Sequence, residues 1–195
     1  MQKSLSAQIC DAINSEDCLS IKSLFLANPE QMTANTFFGG QTWLGYASQV
    51  GKLASVKQLI ESGAEVNQGS DPEGVTPLCS SCFNGHYDIA EYLLECGARL
   101  DTSASVRNAL FAAIVGKSLK ITKLLLEAGI DTSLFYNSKT MRNMDACKFA
   151  LLYGQRDIAR AIAFWQSKND SEIAEKIISV AEKDLEANRR GRKNR

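Results

Sequence analysis

What most constrains this chain is a period. Thr42-Trp43-Leu44-Gly45-Tyr46-Ala47 leads to Gly51, then to Val56 through Ile60, then to Gly63-Ala64 and Val66-Asn67. Thr76-Pro77-Leu78-Cys79-Ser80-Ser81 leads in the same way to Gly85-His86, to 89–94, and to Gly97-Ala98 and Leu100-Asp101, offset by 34 residues at every matched position. A third copy, Asn108-Ala109-Leu110-Phe111-Ala112-Ala113 closing on Gly129-Ile130-Asp131, follows at an offset of 32. A fourth, Asp145-Ala146-Cys147-Lys148-Phe149-Ala150 with Gly154, follows at 37. A period of this length means an array of like units, each of which must stack on its neighbours because it cannot cover its own apolar surface.

Within a unit the residue chemistry predicts two helices. The Thr76 hydroxyl can cap a helix start and Pro77 suits the first helical position, where no N–H is needed. Gly85 ends that helix. Residues 88–95 then form an amphipathic second helix with Ile89, Leu93 and Leu94 apolar, closed by Gly97 in the left-handed conformation. The expected fold is therefore all-α, with four helix-turn-helix units at 40–70, 71–102, 103–135 and 140–166. Residues 1–39 read as a degenerate opening unit with short helices at 7–13 and 19–26, followed by a first finger. After the array, 171–187 reads as one more helix, capped by Asp170 or Ser171. Ile173, Ile177, Ala181 and Leu185 recur along it every four residues, so the segment 167–188 is expected to lie as a lid over the edge of the fourth unit.

These residues resemble the ankyrin repeat, whose pattern opens on Thr-Pro-Leu-His-x-Ala and closes on Gly-Ala. The resemblance covers roughly 40–165 and is best in the second copy, with Cys79 at the family's His position. The third copy lacks the Pro, and the fourth lacks both the Thr and the closing Gly-Ala. It implies an ankyrin solenoid that binds another protein and catalyses nothing.

Charge and cysteine usage narrow the setting. Lys plus Arg equals Asp plus Glu at 22 each, so the bulk charge names neither nucleic acid nor an anionic membrane as partner. Five cations, Arg189, Arg190, Arg192, Lys193 and Arg195, lie in the last seven residues, leaving 17 basic against 22 acidic side chains in 1–188. The tail 189–195 is read as a disordered solubilising end, with contact to an acidic surface as the alternative. Without aromatic interleaving it is a poor nucleic-acid module. No apolar run is long enough to span a membrane and no export signal opens the chain, so Cys10, Cys18, Cys79, Cys82, Cys96 and Cys147 read as buried, reduced hydrophobes in a cytoplasmic protein.

Catalytic, metal and cofactor sites are not expected. Cys79, Cys82 and His86 could supply metal or redox atoms, but a structural zinc needs four ligands and no second cluster completes the set. The sole histidine, His86, follows Gly85, where ankyrin repeats commonly carry Gly-His, and so already has a packing explanation. Glu61, Glu91, Glu95 and Glu127 lie on second helices among Lys57 and Lys123, the pattern of a solvated face. No phosphate-binding glycine spacing occurs.

What remains is a surface. In ankyrin proteins partners lie on the fingers and on the exposed side of the first helices. Carried over repeat by repeat, this selects Gln49 and Val50, Phe83 and Asn84, Val115 and Gly116, Leu152 and Tyr153. The fingers add Phe37, Phe38 and Gln41, then Pro72, Glu73 and Val75, then Arg107, and finally Phe135, Tyr136, Met141, Arg142 and Met144. Aromatics where a spacer would carry Lys or Glu suit the centre of an interface. Packing within the stack is an equal alternative for Phe37, Phe135 and Met144 and a lesser one for Phe83 and Tyr153. The expected partner is another protein, with the chain itself monomeric. A free-standing, divergent array is similar to the small bacterial ankyrin proteins that act as immunity partners of toxins; a general scaffold or regulatory adaptor and a host-targeted effector are the alternatives.

Overall fold

The computed structural model describes residues 3–32, 40–70, 74–137 and 142–193. Among them are eleven α-helices and no strand, with an isolated bridge between Tyr136 and Met144. Phe37, Phe38, Pro72, Glu73 and Met141 lie outside the described residues. The chain divides into two compact units, 1–99 and 100–195.

The first unit holds three helix pairs: α1 (Leu5–Ser15) with α2 (Cys18–Ala27), α3 (Trp43–Val50) with α4 (Leu53–Glu61), and α5 (Pro77–Phe83) with α6 (Tyr87–Glu95). The helix starts follow from local chemistry. Thr42 accepts a hydrogen bond from Gly45 N at 3.0 Å and Thr76 accepts from Cys79 N at 3.2 Å, with Pro77 at the first position of α5. First helices stack on first helices, as α3 on α5, and second on second, as α2 on α4. Ile9, Ile13, Ile21, Leu44, Leu59, Leu78 and Leu93 fill the core between them. Polar ties fix the stacking register. The Ser55 hydroxyl donates to Ile13 O (2.8 Å), while Asn67 donates to Gly97 O (3.1 Å) and accepts from Arg99 N (2.7 Å).

The second unit holds the pair α7 (Ala109–Val115) and α8 (Leu119–Glu127), the pair α9 (Ala146–Leu152) and α10 (Arg156–Gln166), and α11 (Ser171–Lys193). Here the caps change identity while keeping the role. Asn108 accepts from Leu110 N (2.9 Å) and Asp145 from Lys148 N (2.8 Å), which is how the third and fourth copies start without threonine. In place of the missing closing glycine, Lys168 and Asn169 take φ of 56° and 70°, the left-handed region that asparagine tolerates better than most side chains. Asp170 then caps α11 by accepting from Glu172 N (2.9 Å) and Ile173 N (3.0 Å).

α11 differs from its sequence reading in phase and in length. Its buried residues are Ala174, Ile178, Ala181 and Leu185, whereas Ile173 is 46% exposed and Ile177 half-buried. The helix also runs to Lys193, so the backbone of 189–193 continues it instead of trailing as a disordered tail.

Candidate protein-binding surface

In the first unit the residues ahead of Gly51 and Gly85 end the first helices α3 and α5. Residues 77–82 of α5 are all buried, and Phe83, next in line, is 54% exposed. Asn84 beside it is exposed, as is Gln49 at the matching place on α3, while Val50, Gln41 and Val75 are half-buried. The finger between these helices is closed at its base, where Ser70 N donates to Val75 O (2.9 Å) and Val75 N to the Ser70 hydroxyl (3.1 Å).

His86 holds the floor of this patch. Its Nε2–H donates to the Gln49 carbonyl at 3.0 Å, and its ring covers Gly51, where a Cβ would meet the ring carbon Cε1 at 2.5 Å. Gly51 sits at φ 77°. The histidine therefore fixes the end of α3 against the start of α6, which ties Gln49 and Phe83 to one framework. Neighbouring Cys79 and Cys82 are buried, and burial pushes the Cys82 thiol far above its ordinary range. No group of three His, Cys, Asp or Glu side chains converges among the described residues. Of the six cysteines, Cys10, Cys18 and Cys96 are only half-buried, which the sequence reading did not foresee.

In the second unit the matching positions divide. Leu152 (37%) and Tyr153 (47%) are exposed at the end of α9, and Val115 and Gly116 are half-buried. Tyr153 is also a packing residue: its ring lies 4.6 Å from Phe149, which lies 4.5 Å from Phe111. Tyr136 meets Phe111 edge-on at 5.1 Å, and its hydroxyl donates to Thr102 O (2.7 Å) and accepts from Asn108 (3.0 Å). Tyr136 thus holds the finger base rather than standing free on it. Met144 is buried, and the packing alternative holds for it. Phe135 (60%) and Arg142 remain exposed. Arg107 is exposed within reach of Asp101 (3.7 Å), whose carboxyl is held below the usual range chiefly by the Ser103 N–H.

The sequence reading missed two exposed leucines, Leu19 (82%) and Leu26 (74%). They lie seven residues apart on one face of α2, a helix apolar on nearly every side, which was the available sign. No helix among the described residues is long and apolar enough to cross a membrane.

Comparison with known proteins places these helix pairs. The family model for ankyrin repeats in three copies matches residues 9–104, a span that begins inside α1 and ends before α7. An ankyrin repeat protein of Rickettsia felis is 30% identical over 164 residues, covering 72% of this chain and 73% of that protein. A palmitoyltransferase of Drosophila melanogaster is 41% identical over 87 residues, 44% of this chain but 14% of the enzyme. Protein phosphatase 1 regulatory subunit 27 of Homo sapiens is 43% identical over 53 residues, 27% of this chain and 34% of the subunit. The chain thus spans most of the Rickettsia protein and a minor part of the other two.

Proposed function

This chain belongs to the ankyrin repeat family, and from that premise we propose that it is a non-catalytic adaptor binding a partner protein through the patch around Phe83. Ankyrin repeats are protein-interaction modules, and the one observation that carries the site is Phe83 itself, a large apolar ring left half in water at the end of an otherwise buried helix. Exposed aromatics in a rigid polar frame are what interface centres are made of. Gln49 and Val50 at the end of α3 and Asn84 beside Phe83 are the neighbouring helix-end residues, and the His86 bond to Gln49 holds the two helix ends preformed, so little ordering entropy is spent on binding. The kinship with a phosphatase regulatory subunit supports a regulatory adaptor, and the kinship with the palmitoyltransferase is compatible with it because the shared part is 14% of that enzyme.

The immunity form of this reading, in which the partner is a toxin, draws on the Rickettsia relative, a bacterial protein mostly spanned by the same array. It uses the same patch and differs in consequence: the chain would rescue the growth of cells expressing the toxin.

The full chain is immobilised, its partner captured and identified, and the purified partner titrated against variants. Phe83→Ala should weaken binding by roughly 30-fold, because losing an interface anchor costs about 2 kcal/mol and about 1.4 kcal/mol is tenfold. Lys57→Ala, on the second helix α4, is the control. Equal affinity for wild type and Phe83→Ala would remove the patch from the function.

A further inference from the structure

The ion pairs that hold α11 all run one way. Elsewhere in residues 100–195 helices stack in kind, α7 against α9 and α8 against α10, whereas α11 lies across both α9 and α10. Three pairs fasten it there. Asp184 meets Lys148 of α9 (2.8 Å), while Glu182 meets Arg156 and Glu175 meets Arg160 (3.6 Å), both of α10. In each pair α11 brings the acid and the repeat beneath it brings the cation. The two pairs to α10 are well exposed, so dissolved salt screens them.

The apolar part of the contact is thin. Among the described side chains of α11 four are fully covered, Ala174, Ile178, Ala181 and Leu185, and two of these are alanines. Ile173 and Val180, on the uncovered edge of its apolar arc, stay 46% and 57% exposed.

Separation also leaves few charges unpaired. Lys148 reaches Asp145 (3.6 Å), the cap of α9, and Arg160 reaches Asp157 (3.6 Å) within α10, so two of the three cations keep a carboxylate without α11. α11 in turn starts itself: Asp170 caps it, and Glu172 pairs with Lys176 (2.6 Å) one turn on. Its 23 residues exceed the length of about 15 below which an isolated helix is marginal. The joint to α10 is two successive left-handed residues, Lys168 and Asn169, at φ 56° and 70°. Neither is glycine, so the turn that folds α11 back onto α10 carries backbone strain that opening relieves.

We propose that α11 is a charge-fastened strap that swings off α9 and α10 as one helix while they stay folded, opening the edge on which a further repeat would stack. Ionic strength sets how often it opens. Cys147 of α9, which shares a groove with Ile177, Val180 and Ala181 of α11, is bared in the open form. The device lies apart from the Phe83 patch and does not rest on it.

The test is hydrogen exchange of the full chain, read peptide by peptide in a mass spectrometer. Raising potassium chloride from about 0.01 M to about 1 M cuts the screening length from about 30 Å to about 3 Å, and exchange at 174–185 should rise by about three- to tenfold. Exchange at 158–163 of α10 should not change. Arg156→Glu should give a similar rise at low salt, and adding Glu182→Arg should reverse it. Arg156 is the first residue of α10, where a carboxylate suits the helix dipole, so the single variant does not weaken α10 itself. Labelling of Cys147 by a thiol reagent should track exchange at 174–185 in every condition. Exchange in α11 that ignores both salt and Arg156→Glu would overturn the proposal. So would α10 and α11 rising in step, because the unit would then open as a whole, or a Glu182→Arg that fails to restore protection.

Discussion

Gly51 is the position where backbone and side chain constraints coincide, and Gly51→Ala should destabilise the protein more than the same change at any glycine facing open space. At φ 77° an alanine costs about 1–2 kcal/mol, because its Cβ crowds the backbone in the left-handed region. The new methyl would also stand 2.5 Å from His86 Cε1 and 2.8 Å from Nδ1, so the ring must move and its bond to Gln49 O is lost, about 1 kcal/mol more. The expected total is about 2–3 kcal/mol. Gly97 is the reference: it has φ 85°, but a Cβ there meets nothing within 4 Å, and Gly97→Ala should cost only the backbone part. Urea denaturation followed by circular dichroism reads both, with the slope checked for constancy. A double-mutant cycle completes the test: in a His86→Ala background the Gly51→Ala loss should fall to the Gly97→Ala value. Equal losses at Gly51 and Gly97 in the wild-type background would refute the idea that His86 locks the end of α3.

Three further outcomes follow from burial and charge. Ile178→Ala should cost about 2–5 kcal/mol and Ile173→Ala no more than about 0.5 kcal/mol, which urea titration separates; the reverse order would restore the helix phase expected from sequence. In the native protein a thiol reagent at pH 8 should label the half-buried Cys10, Cys18 and Cys96 before Cys82 and Cys147, which mass spectrometry of the labelled peptides resolves. Burial pushes the Cys147 thiol up to about 12, so in the closed protein it stays protonated at pH 8 and reacts only after local opening. Asp101 and Asp131 are held below the ordinary carboxylate range, Asp101 first by the Ser103 N–H and Asp131 first by the Ser133 hydroxyl. Their stabilising contribution is present above the unfolded pKa near 4 and is lost as pH falls through the lower folded values. Melting temperature should therefore drop on acidification below that range, and the drop should be shallower in Asp101→Asn and Asp131→Asn.

How much was legible in the sequence depended on how local the cause was. Helix starts were readable wherever one side chain sets them, as Thr42 and Thr76 do, and the same chemistry explains Asn108 and Asp145. The second helices α4, α6 and α10 begin at Lys52, His86 and Gln155 without any side-chain cap, and α6 starts one residue earlier than expected. α11 shows a different limit. Ile173, Ile177, Ala181 and Leu185 form a strict four-residue row, but each such step advances about 40° beyond a full turn at 3.6 residues per turn, so the row winds from one edge of the apolar arc to the other. Both ends of the row could not lie on the same buried face. Contact with α9 and α10 decides which edge is covered, and no pattern within α11 contains that information.

The candidate site obeys the same rule. That residues ahead of Gly51, Gly85 and Gly154 reach solvent follows from a helix ending there, and Gln49, Phe83, Leu152 and Tyr153 are exposed accordingly. What each exposed aromatic does with its other face is set by residues far away in the chain. Tyr153 leans on Phe149, and Phe149 on Phe111, so Tyr153→Ala removes packing as well as surface, and a loss of binding in that variant would not by itself locate an interface. Phe83 closes a helix whose other residues are all buried, so the stack below it does not rely on the ring for closure. A binding defect in Phe83→Ala at unchanged stability therefore reports on the surface alone, and it is the change on which the assignment should be judged.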